Sequence, residues 1–240
     1  MFNLSNTFAI ITGAAQGNGK AIASGYEKAG ANVLAVDTKV LKFNNIVQGD
    51  ISDGSTIDEI KSLVGNYFYD NLVLINNAGI SKPAPFPYPK KDWDLTLKVN
   101  LTAPFMLIEA LIPIFKKTKK GSIINITSLN AEKAFPDNPS YMASKAGLKV
   151  LTKFYAKSLG KYGIRVNNVG PGYIATDMTQ KSYSSSKLKN TREKHTLLRR
   201  WGNPEDLVGI CIFLASNASS YITGQDIYVD GGWLANGLID

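Results

Sequence analysis

Tyr141 and Lys145 stand four residues apart, directly after Asn138-Pro139-Ser140. That triplet reads as a helix start, with asparagine at the cap and proline at the first helical position. The four-residue spacing puts both side chains on one helix face, one turn apart. A phenol titrates at about 10 and is a poor base at neutral pH. A lysine ammonium beside it stabilises the phenolate, which makes the pair a candidate proton exchanger. Ser128 follows the apolar run 122–127 and precedes Tyr141 by 13 residues. Its hydroxyl can hold a substrate oxygen in line with the phenol. His195 is the only histidine and lies in a polar stretch, so a surface position is expected and no other histidine can build a relay. No clustered Cys, His or carboxylate spacing suggests a metal site.

A second group of residues has the make-up of a phosphate cradle. The apolar run 8–12 passes straight into Thr12-Gly13-Ala14-Ala15-Gln16-Gly17-Asn18-Gly19, and a helical pattern follows. A glycine-rich turn between strand and helix lets backbone amides approach a pyrophosphate at the positive helix end. Asp37 closes the next apolar run, 18 residues beyond Gly19. A carboxylate there accepts hydrogen bonds from both ribose hydroxyls of an adenosine and repels a 2′-phosphate. Lys39 and Lys42 argue the other way, because either can reach a 2′-phosphate. The reading is NAD rather than NADP.

These residues must be positioned by the elements around them. Short apolar runs at 8–12, 33–37, 46–48, 72–76, 122–127, 164–169 and 227–230 read as strands. Helical patterns fall near 17–29, 56–64, 90–115, 139–161 and 204–215. The alternation predicts one α/β domain over residues 1–240, a Rossmann-type, doubly wound parallel sheet of about seven strands with ligands at their carboxyl ends. Only eight residues separate the second strand from the third. A full crossover helix needs about 10–12, so this helix is predicted to be absent or a single turn.

Composition narrows the class. With 44% hydrophobic and 19% charged residues over 240 positions, the chain is an ordinary globular one. A net charge of +8 comes without a groove-reading motif, so nucleic-acid binding is not expected. The cluster Lys116, Lys117, Lys119 and Lys120 reads as a solvated helix end. The apolar stretch 103–115 is interrupted by Glu109 and too short for a bilayer, so no membrane partner is expected. No basic residue precedes Lys20, so no signal leader is expected. The single cysteine, Cys211, sits in an apolar run as an inert thiol. A cytoplasmic location is the expectation.

The spacing Gly13…Gly17…Gly19 resembles the TGxxxGxG loop of the short-chain dehydrogenase/reductase family, and the resemblance extends along the whole chain. Asn76-Asn77-Ala78-Gly79 looks like the family's NNAG element. Asp50-Ile51 resembles its adenine-contacting pair, Asn100 its helix asparagine, Ser128 its catalytic serine and Tyr141-x-x-x-Lys145 its YxxxK motif. Pro171-Gly172, with Ile174 and Thr176, resembles the segment that closes over nicotinamide. The resemblance implies hydride transfer between NAD(H) and a secondary alcohol or ketone. Tyr141 is then the acid/base, assisted by Lys145 and the charge of oxidised nicotinamide, and Ser128 orients the substrate. It also implies that Lys145 binds the nicotinamide ribose, that Asn100 supports a proton relay, and that Gln16 and Asn18 join the cofactor contacts. Asn18 departs from the pattern, since the family usually carries isoleucine or leucine there.

In the family, the segment after Pro171-Gly172 covers the substrate. Here residues 176–201 hold Lys181, Lys187, Lys189, Arg192, Lys194, Arg199 and Arg200 against only Asp177 and Glu193. Such a cover attracts anions, and Arg192, Arg199 and Arg200 are candidate substrate contacts. The loop 80–90 is expected to form a second, stiff wall, with Phe86 and Tyr88 packing on a substrate ring or on a neighbouring subunit. The leading substrate class is a polyol, sugar or sugar acid. The rivals are a 3-oxoacyl-[acyl-carrier-protein] reductase, a cyclic diol dehydrogenase and a nucleotide-sensing regulator without turnover. The resemblance also implies a homo-oligomer, expected to be a tetramer, formed by the long helices, the apolar run 210–214 and the tail 233–239.

Overall fold

The structure, a computed structural model, describes residues 2–40 and 42–237. In chain order the elements are β1 (Thr7–Thr12), α1 (Gly17–Lys28), β2 (Asn32–Asp37), β3 (Asn45–Gln48), α2 (Gly54–Val64), β4 (Asn71–Asn76), α3 (Lys90–Leu97), α4 (Ala103–Thr118), β5 (Gly121–Ile126), α5 (Pro139–Leu159), β6 (Ile164–Pro171), α6 (Gln180–Tyr183), α7 (Ser186–His195), α8 (Val208–Ala215) and β7 (Asp226–Val229). All strand pairings are parallel, in the order β3-β2-β1-β4-β5-β6-β7. This is the doubly wound sheet the sequence predicts. Between β2 and β3 the described residues form no helix, as their number requires.

Alternation along each strand feeds two cores, one on each face. Phe8, Ile10, Leu34, Leu72, Leu74 and Ile123 meet Leu107, Leu111 and Phe115 of α4 and Tyr155 of α5. Ala9, Ile11, Val33, Val73, Ile75 and Ile124 meet Ile22 and Tyr26 of α1 and Cys211 and Leu214 of α8. Burial pushes the Cys211 thiol up to about 12, so it is inert as expected. The strand order reverses beside β1, which pairs with both β2 and β4, and such a switch point opens a crevice at the carboxyl ends.

A polar line crosses the carboxyl half of the sheet. Asn76 donates to Asn125 (2.8 Å), Asn125 to Thr152 of α5 (2.7 Å), Thr152 to Asn168 (2.6 Å) and Asn168 to Asp226 (2.6 Å). Each strand contributes one register-matched residue, and Thr152 fixes α5 against them.

Helices α3 and α4 join through a π-turn at Lys98–Thr102, giving one helical run over 90–118. By length and composition alone that run is apolar enough to cross a membrane, which the shorter stretch 103–115 did not suggest. In α4 the buried Ala103, Leu107, Ile108, Leu111 and Phe115 belong to the protein's own core. Helices α6 and α7 are a departure from the sequence reading, which placed no helix in 176–201. Neither buries a residue, so no apolar period marks them. Ser185 starts α7 by accepting from Leu188 N at 3.4 Å. The tail 233–239 lies partly outside the described residues.

Candidate active site

One cavity of about 670 Å³ runs across the carboxyl ends of the strands. At one end it is lined by Gly13, Gln16, Gly17 and Asn18, with Asp37, Asp50 and Ile51 beside them. Asn77, Ala78 and Gly79 line its middle, and Ser128, Tyr141, Lys145, Pro171, Gly172, Ile174 and Thr176 the far end. Of the sequence-predicted cofactor residues, only Gly19 stays behind the wall. A Cβ there would sit 2.0 Å from the Gly13 carbonyl, so the glycine allows the two backbones to pack. Gly13 and Gly17 have φ of +69° and +52°, a region that favours glycine.

The NNAG element is tied to the glycine loop. Thr12 Oγ1 accepts from Asn77 N and Ala78 N at 3.0 Å each, and Asn77 Nδ2 donates to Thr12 O at 2.9 Å. Asp37 accepts from Ala15 N (3.0 Å) and Lys39 N (2.9 Å), which orients its carboxylate at the adenosine end. Lys39 also lines the cavity, with its ammonium bonded to Gln16, whereas Lys42 does not line it. Amides at the start of α1, an oriented acid at a strand end and a long cleft between them fit a dinucleotide. Asn18 Oδ1 is buried without a partner among the described residues, a polar acceptor where the family usually presents an alkyl group.

Ser128, Tyr141 and Lys145 converge on the far end. Lys145 is buried, its Nζ donating to Ile126 O at 2.7 Å and lying 5.7 Å from the centre of the Tyr141 ring. Burial lowers the Lys145 ammonium to about 8. Burial raises Tyr141 above the ordinary value, and the Ser128 hydroxyl pulls weakly the other way. The protein's own side chains desolvate the phenol, and Lys145, desolvated beside it, does not reverse the balance. Ser128 Oγ is held through Asn130, whose backbone N donates to it at 3.2 Å.

Asn100 is buried rather than at the surface. Its Oδ1 accepts from Ile80 N (2.8 Å), and its Nδ2 donates to Ile80 O (2.9 Å) and Ser144 Oγ (3.2 Å). It sits in the π-turn, behind Gly79 and close to Lys145. Asn138 holds the cap position as expected, but its side chain does not cap the helix. Its Nδ2 donates instead to Ser81 Oγ at 2.8 Å, tying the loop 80–90 to the start of α5. Tyr88 makes a similar tie, its hydroxyl bonding Ser140 Oγ at 2.7 Å, and neither it nor the exposed Phe86 lines the cavity.

The three arginines of the cover separate. Arg192 lines the cavity. Arg200 is paired with Asp206 at 2.7 Å, and that guanidinium draws the Asp206 carboxyl down to about 2. Arg199 donates to Lys194 O at 2.8 Å. Neither Arg199 nor Arg200 lines the large cavity; Arg200 lines a smaller one beside Tyr173 and Ile174. Lys181 and Asp177, named only for the charge balance of the cover, line the large cavity too, as does Tyr173, whose only sequence signal was its place directly after Pro171-Gly172. His195 is partly buried, stacked on Trp233 with ring centres 5.9 Å apart.

A family model described as enoyl-(acyl carrier protein) reductase matches residues 13–234. The chain is 33% identical to gluconate 5-dehydrogenase of Gluconobacter oxydans, over 97% of this chain and 96% of that protein. It is 36% identical to a 3-oxoacyl-[acyl-carrier-protein] reductase of Thermotoga maritima, over 95% of this chain and 98% of that one. A solved gluconate 5-dehydrogenase from Burkholderia cenocepacia, in complex with NADP and tartrate, matches with a TM-score of 0.90. It is 31% identical, and the match covers 98% of this chain and 97% of that one. The chain belongs to the short-chain dehydrogenase/reductase family. It is an oxidoreductase of the nicotinamide-dependent kind.

Proposed function

We propose that the protein is an NAD-dependent dehydrogenase of a sugar acid or related polyol, with Ser128, Tyr141 and Lys145 as its catalytic residues. The observation that carries this reading is their convergence at the far end of a cavity that begins at the glycine loop. The bound dinucleotide supplies the hydride acceptor or donor. Ser128 holds the substrate oxygen, and Tyr141 takes its proton as the carbinol is oxidised or returns it as the ketone is reduced. Lys145 binds the nicotinamide ribose and adds positive charge beside the phenol. Asn100, fixed to Ile80 and Ser144, supports the relay behind Lys145. The backbone at Gly13 and Gly17 receives the pyrophosphate, with Gly19 letting the loop pack behind it, and Asp50 and Ile51 flank the adenine.

Asp37 supports NAD, since its oriented carboxylate repels a 2′-phosphate. Lys39 beside Gln16 and the NADP-bound relative support the other cofactor. The two gluconate 5-dehydrogenases support a sugar acid. A 3-oxoacyl-[acyl-carrier-protein] reductase is the second reading, favoured by the 36% identity to such an enzyme. A screen of sugar acids, polyols, cyclic diols and 3-ketoacyl thioesters with both cofactors decides between them. The highest kcat/KM is expected for a sugar acid with NAD. Preferred reduction of a thioester with NADPH overturns the reading, and no turnover of any compound favours a nucleotide-sensing regulator.

We infer a homotetramer. Phe105 and Met106 of α4 and Val150 and Phe154 of α5 are exposed apolar residues on the two long helices that such packing would cover. A monomer in light scattering rejects this. A free, buried Cys211 suits the reducing cytoplasm.

A further inference from the structure

Seven cations lie in the covering segment, and the cavity wall takes up only two of them, Lys181 and Arg192. Lys189 lies over one aromatic ring, Tyr183, and Arg192 over two. Its guanidinium carbon lies 4.6 Å from the centre of the Tyr173 ring and 5.7 Å from that of Trp201. Trp201 is itself anchored, buried, with its indole N–H donating to Lys189 O at 3.4 Å. A guanidinium laid against aromatic faces keeps its planar fork in one orientation while giving up water. One end of that fork, Nη1, is buried and has no acceptor among the described residues. Buried charged donors without a partner are rare in folded proteins and mark a place where an acceptor is missing. Tyr173 shares the same wall, its phenol raised by burial and pulled the other way by the charge of Arg192 and by a hydrogen bond from its guanidinium, which leaves Nη1 as the edge without an acceptor.

We propose that Arg192 is the receptor for the substrate's carboxylate and sets the specificity of the site for hydroxy acids over neutral polyols. The proposal deepens the dehydrogenase reading given above and rests on it for the reacting end, where the carbinol lies between Ser128 and Tyr141. The carboxylate of the same molecule reaches the cover and takes the free edge of the guanidinium. Tyr173 and Trp201 act as positioning residues, because they hold the fork rather than touch the reacting atoms. Asp177 on the same wall is the competing acceptor. If Arg192 served only to pair with it, the residue would matter for stability and not for binding.

The test uses the full-length protein saturated with NADH, with which gluconate cannot be oxidised, titrated with gluconate and separately with tartrate in a calorimeter, beside initial rates with gluconate and NAD. Arg192→Gln is expected to weaken binding of both anions by at least about tenfold, as loss of one partner of a buried charge pair does. KM for gluconate rises by a similar factor while kcat changes little, and the melting temperature stays within that of wild type. Arg192→Lys restores only part of the affinity, because an ammonium lacks the planar fork. Unchanged anion binding in Arg192→Gln overturns the proposal, as does a lowered melting temperature with unaltered affinity, or a wild type that binds neither anion. The dehydrogenase reading fails separately. If gluconate binds through Arg192 and is not oxidised with either cofactor, the receptor stands and the reaction falls.

Discussion

On the sheet side of the cavity, Lys145, Asn125, Thr152 and Asn168 are buried, and each is hydrogen-bonded to a strand or across the strands. On the opposite side, α6 and α7 bury no residue, and most of their cations face away from the cavity. The first wall holds its groups by packing and low dielectric, so a small change there costs stability or chemistry. The second wall is a polar cover in which single residues reach inward. On the proposed function, reaction type lies with the strand ends and substrate choice with the cover.

The largest effect should come from the sheet side. Tyr141→Phe removes the oxygen proposed to transfer the proton and should lower kcat by about 10²–10⁴-fold while cofactor affinity, read by fluorescence titration, is retained. Activity near wild type would erase the division between the two walls.

Lys145 gives the next test. Its ammonium is held at about 8 in the folded protein against 10.5 for an unperturbed lysine. Between those two values the unfolded chain binds more protons, so this residue makes stability rise with pH there. Relative to wild type, Lys145→Met should be comparatively more stable below pH 8. The difference should shift by about 2–3 kcal/mol toward wild type as pH approaches 10.5. A difference that does not move with pH in denaturant melts would mean that the lysine is not desolvated.

Thr152→Val cuts the polar line, leaving Asn125 Nδ2 and Asn168 Oδ1 without partners. Chemical denaturation should register a loss of about 2 kcal/mol. Asp37→Ser should raise the ratio of NADP to NAD efficiency by about tenfold, near 1.4 kcal/mol, with the fold unaltered. Arg199→Gln, on the cover but bonded outward to Lys194 O, should leave stability and gluconate KM nearly unchanged, within about 0.5 kcal/mol. A large effect at Arg199 would show that the cover works as a diffuse cationic field and not through one inward residue.

The same contrast explains what could be read from residue order. Tyr141 and Lys145 were legible because a helix start and a four-residue spacing are local facts. The sheet was legible because strands covered on both faces are continuously apolar. The glycine loop and Asp37 were legible because the turn and the strand end fix their geometry. Three things were not. The direction of the Tyr141 shift depends on burial, which no spacing reveals. The Asn138 side chain leaves its expected cap because Ser81, 57 residues earlier, offers it a hydroxyl. Helix α7 carries no apolar stripe, and the choice among Arg192, Arg199 and Arg200 depends on where that helix lies.

The account stands on hydride transfer at the carbon held between Ser128 and Tyr141. A sugar acid carrying deuterium on its reacting carbinol carbon, incubated with the protein and oxidised nicotinamide cofactor, addresses that step. The account predicts one deuterium on the nicotinamide ring for each ketone formed. Ketone formed with the label released into water, or no transfer to the ring with any hydroxy acid tested, would contradict it.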